Sequence, residues 1–207
     1  MINRSLYCIF LACLLLGCGQ SDQTAFGNPV DQDKRPAIVI KGTRIFVDGK
    51  LLRLGDSMDS WKAVIPSVPR CLEPQLIVVC NWDELGMQIG SGQGDMTKVT
   101  FINIYLSARE NFRLQETNFS PKMLFRGYLE LDGVAIDSET KYGTIRRNID
   151  PNRNMTCGIR SCTEPTAAFN SAATIYLSLQ GSTDQSRLYS FSLSCKSDKS
   201  CKALIPK

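Results

Sequence analysis

Gly55-Asp56-Ser57 sets a serine hydroxyl behind a glycine and an acid, a local arrangement in which ester-hydrolysing enzymes present a nucleophile. Such a serine attacks only when a neighbouring base takes its proton, and histidine is the usual base. The chain contains no histidine. Ser138-Glu-Thr-Lys141 offers a lysine base three residues after a serine. The Ser-Asp-Asn and Lys-Thr/Ser-Gly elements that complete such sites are missing. Paired carboxylates do acid–base work without imidazole. Glu73, Asp83, Glu84 and Glu164 all sit beside turns or cysteines, and no pair among them stands out. Gly90-Ser-Gly-Gln-Gly94 has the glycines of a phosphate loop, without the Gly-Lys-Ser/Thr or the helix that would follow. No catalytic set is complete, so no enzyme activity and no catalytic residue are expected.

The cysteines carry the clearer chemistry. After Arg4 comes an apolar run, Leu6 to Leu16. It is shorter than the roughly 20 residues a spanning helix needs and suits the core of a signal peptide. The run ends in Leu15-Leu16-Gly17-Cys18, which resembles the lipobox of bacterial lipoproteins. That resemblance implies cleavage after residue 17, diacylation (palmitate and its like) of the Cys18 sulfur, and stable anchoring by several acyl chains. Gly19, where inner-membrane retention uses Asp, implies the periplasmic face of the outer membrane. Of nine cysteines, Cys8 and Cys13 leave with the signal and Cys18 is lipidated. Cys71, Cys80, Cys157, Cys162, Cys195 and Cys201 remain, an even number that reads as three disulfides in an oxidising compartment. Local pairing, Cys71–Cys80, Cys157–Cys162 and Cys195–Cys201, is the simplest of about fifteen connectivities. With no Cys-x-x-Cys and no histidine, neither a metal nor a cofactor is expected.

These residues need elements to hold them. Residues 18–36 are polar and rich in Gly, Pro and Gln, and read as a lipidated N-terminus and tether. Ala37–Ile40, Arg44–Val47 and Leu51–Leu54 have strand character. Asp48-Gly49 supplies the hairpin turn. Met58, Trp61, Val64 and Ile65 then follow a helical spacing that Pro66 ends. Ser57 stands where an N-cap belongs, and Asp59 suits the positive end of the helix dipole. Trp61 is read as core. Gln75–Cys80, Gly86–Ile89 and Lys98–Leu106 predict a meander, with turns at Asn81-Trp-Asp83 and Gly90–Gly94, and Ser107–Lys122 reads as a connector.

The second half repeats the theme. Phe125–Asp132, the turn Asp132-Gly133 and Val134–Ile136 form a second hairpin. Thr140 is placed to cap a helix running to Arg147. Trp61 lies thirteen residues after Asp48, and Ile145 thirteen after Asp132. Cys71-Leu-Glu-Pro74 and Cys162-Thr-Glu-Pro165 each lead into strands, the later ones being Ala173–Leu179 and Arg187–Cys195. The expected fold is α+β: antiparallel sheets with short helices on one face, in two degenerate ββα-plus-meander units at 37–108 and 123–201. The chain is 43% apolar, enough to bury a core.

The hairpin, the short helix with its Gly-x-Ser start and the meander resemble the modules of BamE/SmpA-type outer-membrane lipoproteins. They also resemble the tandem units of a periplasmic β-lactamase inhibitor protein. "RIFVDGKLLRLGDSMDSWKAVI" followed by "FRGYLELDGVAID" is similar to an uncharacterised family of Gram-negative lipoproteins. The resemblance implies a helix-on-sheet fold and carries no catalytic residue. It suggests a protein-binding role, either as an immunity protein against a toxin delivered to the periplasm by type VI secretion or in envelope assembly and maintenance. A hydrolase is the remaining alternative.

Partner contacts are expected at two places. Trp82, read at a loop tip beside Cys80, is a candidate interface anchor. Lys141, Arg146, Arg147, Arg153 and Arg160 form the densest basic group, a solvated face or a docking surface for an acidic partner. The formal charge of +4 falls by one when Arg4 leaves with the signal. That balance gives no sign of a nucleic-acid partner.

Overall fold

A computed structural model describes residues 34–42, 44–73, 77–92, 95–108, 119–149, 151–164, 173–195 and 201. Cys18 and its lipobox, most of the tether, and both prolines of the Cys-x-Glu-Pro motifs lie outside the described residues. The fold is α+β, with short helices and two sheets.

In the first unit, β1 (Ala37–Lys41), β2 (Arg44–Val47) and β3 (Lys50–Leu52) precede α1 (Met58–Lys62), β4 (Arg70–Leu72), β5 (Val79–Trp82), β6 (Met87–Gly90) and β7 (Phe101–Tyr105). The second unit has β8 (Tyr128–Leu131), β9 (Val134–Ile136), α2 (Tyr142–Asn148) and a 3-10 turn at Pro151–Arg153. It continues through β10 (Thr156–Cys157), β11 (Ser161–Thr163), β12 (Ala173–Leu179) and β13 (Leu188–Cys195).

Both predicted hairpin turns form for the expected reason. Asp48 and Gly49 have φ of 47° and 78°, and Asp132 and Gly133 of 50° and 88°. Glycine takes such angles freely and aspartate tolerates them. Each turn aspartate also reaches sideways: Asp48 Oδ1 accepts from Ala37 N at 2.8 Å, and Asp132 Oδ1 from Gly42 N at 3.0 Å. The two turns thereby grip opposite ends of β1.

Ser57 caps α1, its Oγ accepting from Ser60 N at 3.2 Å. Thr140 does not cap α2. The N-cap is Lys141, without a side-chain cap bond, because the Thr140 hydroxyl is engaged with Asp137, accepting from its N–H and donating to its carboxylate. Both helix starts are pinned by the same device, an isolated bridge to the chain that leads into a strand of the larger sheet: Ser57 to Lys98 before β7, and Lys141 to Arg187 before β13.

The five-stranded sheet runs β3-β2-β1-β8-β9, and the eight-stranded one β10-β11-β12-β13-β7-β6-β5-β4. The two units therefore share both sheets. In the larger sheet their pairings repeat in order. Cys71 faces Cys80, Asn81 faces Gln88 and Gln88 faces Asn103. Cys157 faces Cys162, Thr163 faces Tyr176 and Tyr176 faces Ser192. Where the units meet, Asn103 faces Ser192, while Ile104–Phe191 and Ile102–Leu193 flank that pair. Exchanging the units maps this junction onto itself, as a pseudo-twofold axis requires. The equivalence corrects one expectation: Cys71 corresponds to Cys157, not to Cys162, so the shared Cys-x-Glu-Pro string does not mark matching positions.

The three local disulfides are present, and two of them bridge adjacent strands at the edges of the large sheet. One core joins the inward side chains of both sheets with Met58 and Trp61 of α1 and Tyr142 and Ile145 of α2. Trp61 is fully buried, its Nε1 donating to the Arg53 carbonyl. Each such side chain contributes about 1.5–3 kcal/mol by leaving water.

Candidate functional site

The groups first suspected of chemistry are occupied structurally. Ser57 Oγ lies 2.7 Å from Ser60 Oγ and accepts from Ser60 N, so its neighbours are a hydroxyl and an amide, not a base. Asp83 takes a bidentate bond from Arg70, at 2.9 Å to each oxygen. That guanidinium holds its carboxyl below the usual range. Glu164 faces Arg153 in the interior, and burial pushes its pKa up against the pull of that cation. Glu139 pairs with Arg187 beside Lys141. Among the described residues no cluster of Cys, Asp or Glu is arranged to hold a metal ion.

Two partner-contact expectations are corrected. Trp82 is not at a loop tip. β5 runs through it, the turn falls at residues 83–86, and its side chain is fully buried in the core. Arg153 is 1% exposed. Its guanidinium spans both oxygens of Asp132, reaches Glu164 Oε1 at 3.1 Å and donates to the Gly42 carbonyl at 2.9 Å. It ties the two sheets together instead of facing a partner. Arg146 is ion-paired with Asp184 at 2.8 Å, and Arg147 and Arg160 are exposed.

What the fold presents to solvent is the outer face of the large sheet. Inward positions of its strands are apolar; the outward positions between them differ sharply between the two units. Opposite Arg70, one row crosses all eight strands: Asn81, Gln88 and Asn103 in the first unit, then Ser192, Tyr176, Thr163 and Thr156 in the second.

In the first unit this row is roofed. Asn81 is 0% and Gln88 7% exposed. The chain from Phe119 to Phe125 forms the roof: Gln88 Nε2 donates to the Phe119 carbonyl, and Arg70 donates to that of Ser120 at 3.1 Å. Lys122 N and Met123 N donate to Asp83, and Phe125 N donates to Tyr105 O. Beneath it, Asn103 donates to Gln88 at 2.8 Å and Gln88 to Asn81 at 3.1 Å. Burial pushes the Tyr105 phenol up, opposed by its bond to Ser120. Gly86, at φ 65°, lets the roof pass, because a Cβ there would collide with the backbone of Leu124 and Phe125.

In the second unit no described residue covers the row. Tyr176 is 40% exposed, and Ser192, Thr163, Thr174, Ser178 and Ser194 are half-buried. None of these outward side chains is charged. Their signal is the alternation of Ala173–Leu179 and Leu188–Cys195, whose outward residues are Ser, Thr and Tyr.

The family described as a domain of unknown function, DUF7738, matches residues 37–146, just over half of the sequence. The chain belongs to that family. The DUF7738 region takes in the first unit, the second hairpin and most of α2, so the open strands β10–β13 lie beyond it. No curated protein and no solved structure matches the chain.

Proposed function

We propose that the chain is an envelope lipoprotein, moored through Cys18 to the periplasmic face of the outer membrane, whose folded part binds another protein and catalyses nothing. The observation that carries this reading is the open half of the large sheet, an uncharged surface of Tyr, Ser and Thr on a rigid disulfide-stapled frame. Binding surfaces favour this composition: tyrosine gives large contact area at low entropic cost, serine adapts its hydrogen bonds, and charge is depleted at interface centres. The occupied state of Ser57, Asp83 and Glu164 supports the absence of turnover. In its concrete form, the protein neutralises a toxin delivered to the periplasm, a task that needs a preorganised face and a fixed address.

The test begins with the immobilised protein exposed to envelope and secreted fractions. A captured protein is then purified and titrated calorimetrically. Saturable one-to-one binding, with palmitate incorporated at Cys18 in growing cells, is the expected outcome. Hydrolysis of ester or glycan substrates that disappears in Ser57→Ala would overturn it.

A further inference from the structure

We infer that the open half of the sheet receives an uncharged segment of the protein partner, held by its main chain and laid across the sheet as residues 119–125 lie across the other half. This rests on the protein-binding reading and adds the form of the ligand. The two halves present equivalent positions: Asn81 corresponds to Thr163, Gln88 to Tyr176 and Asn103 to Ser192. On one half the chain itself supplies an occupant, and its chemistry is visible. It is an irregular stretch, turning at 119 and bending at 120 and 122–123, whose main-chain carbonyls take hydrogen bonds from outward side chains, Gln88 to Phe119 and Arg70 to Ser120. The face is continuous, since Asn103 and Ser192 are paired neighbours at the junction.

Charge selects the occupant further. The roofed half places the Arg70–Asp83 ion pair at its rim, and the roof includes Lys122, whose amide bonds to Asp83. At the equivalent rim of the open half Thr156 replaces Arg70. Among the described residues of that row none is charged, so a strongly charged segment or an anionic membrane surface finds no countercharge within it. Hydroxyls at Thr163, Tyr176 and Ser192 can both donate and accept, so they suit the N–H and C=O groups of a main chain.

The experiment places the photocrosslinker p-benzoylphenylalanine at position 176 of the full-length anchored protein. Position 68, where Val68 is 93% exposed on the α1–β4 connection, serves as the control. The captured partner is digested and its crosslinked peptides are sequenced. The expected result is adducts from position 176 that fall in one contiguous, uncharged segment, with few from position 68. A synthetic peptide of that segment then binds the wild-type protein, and Tyr176→Arg, at an exposed position that leaves folding intact, weakens it at least about tenfold. Calorimetric binding without position-176 adducts overturns the inference while leaving the function standing. Adducts spread over several segments, to a second copy of this chain, or to lipid overturn it as well. Failure of the purified proteins to bind at all defeats the function itself.

Discussion

Replacing Arg153 with methionine keeps the volume of the side chain and removes its charge. Arg153 is 1% and Glu164 3% exposed, and Asp132 is largely covered. The change strands two carboxylates that no other described cation approaches within ion-pairing distance. Removing one member of a buried ion cluster costs about 3–5 kcal/mol, because the charges left behind remain desolvated. For a chain of this size, where 1 kcal/mol moves the midpoint by about 2–4 °C, Tm falls by roughly 6–20 °C. The pH dependence has a definite sign. Burial raises the Glu164 pKa in the folded state, so the native form binds more protons than the unfolded one just above the ordinary value of 4.5. Its contribution is therefore greatest in acid and is lost as the pH rises through the raised value. Without Arg153 the pKa climbs further, so the deficit of the variant is largest at neutral pH and shrinks near the ordinary carboxyl range. Thermal unfolding followed by circular dichroism at both pH values reads this directly. A loss below about 0.5 kcal/mol at neutral pH, or a deficit that grows in acid, would refute the reasoning. Adding Glu164→Gln to Arg153→Met should recover part of the loss.

Ser57→Ala removes the cap of α1 and should cost about 1 kcal/mol in chemical denaturation, with partner binding unchanged. Gly86→Ala forces a left-handed residue against the roof and should cost at least about 2 kcal/mol, with faster amide exchange at Met123 and Phe125. Cys157→Ser together with Cys162→Ser opens a short loop and should lower stability by about 2 kcal/mol, measured by urea unfolding. Since it frees the edge strand β10 beside Thr163, it should also weaken partner binding.

The features legible in the sequence were those set locally. The Asp-Gly turns, the Ser57 cap, Ala173–Leu179 and the three disulfides each depend on residues a few positions apart. Trp82 was misread because Asn81 and Gln88 look like turn and surface residues. They are buried by a roof that arrives from Phe119, 31 residues beyond Gln88. Arg153 was misread because charge density says nothing of partners, and its partners, Asp132 and Glu164, lie 21 and 11 residues away. The parallel pairing of β1 with β8, which merges the two units, has no local signature at all. The open face was written in the strands, but its meaning depends on which half is roofed, and only the register of both units shows that.

Hydroxyl-radical footprinting of the protein with and without its purified partner tests the central claim most directly. The account predicts that Tyr176 loses reactivity in the complex while Phe119, on the roofed half, keeps its own. Unchanged reactivity at Tyr176 in a saturated complex would contradict it.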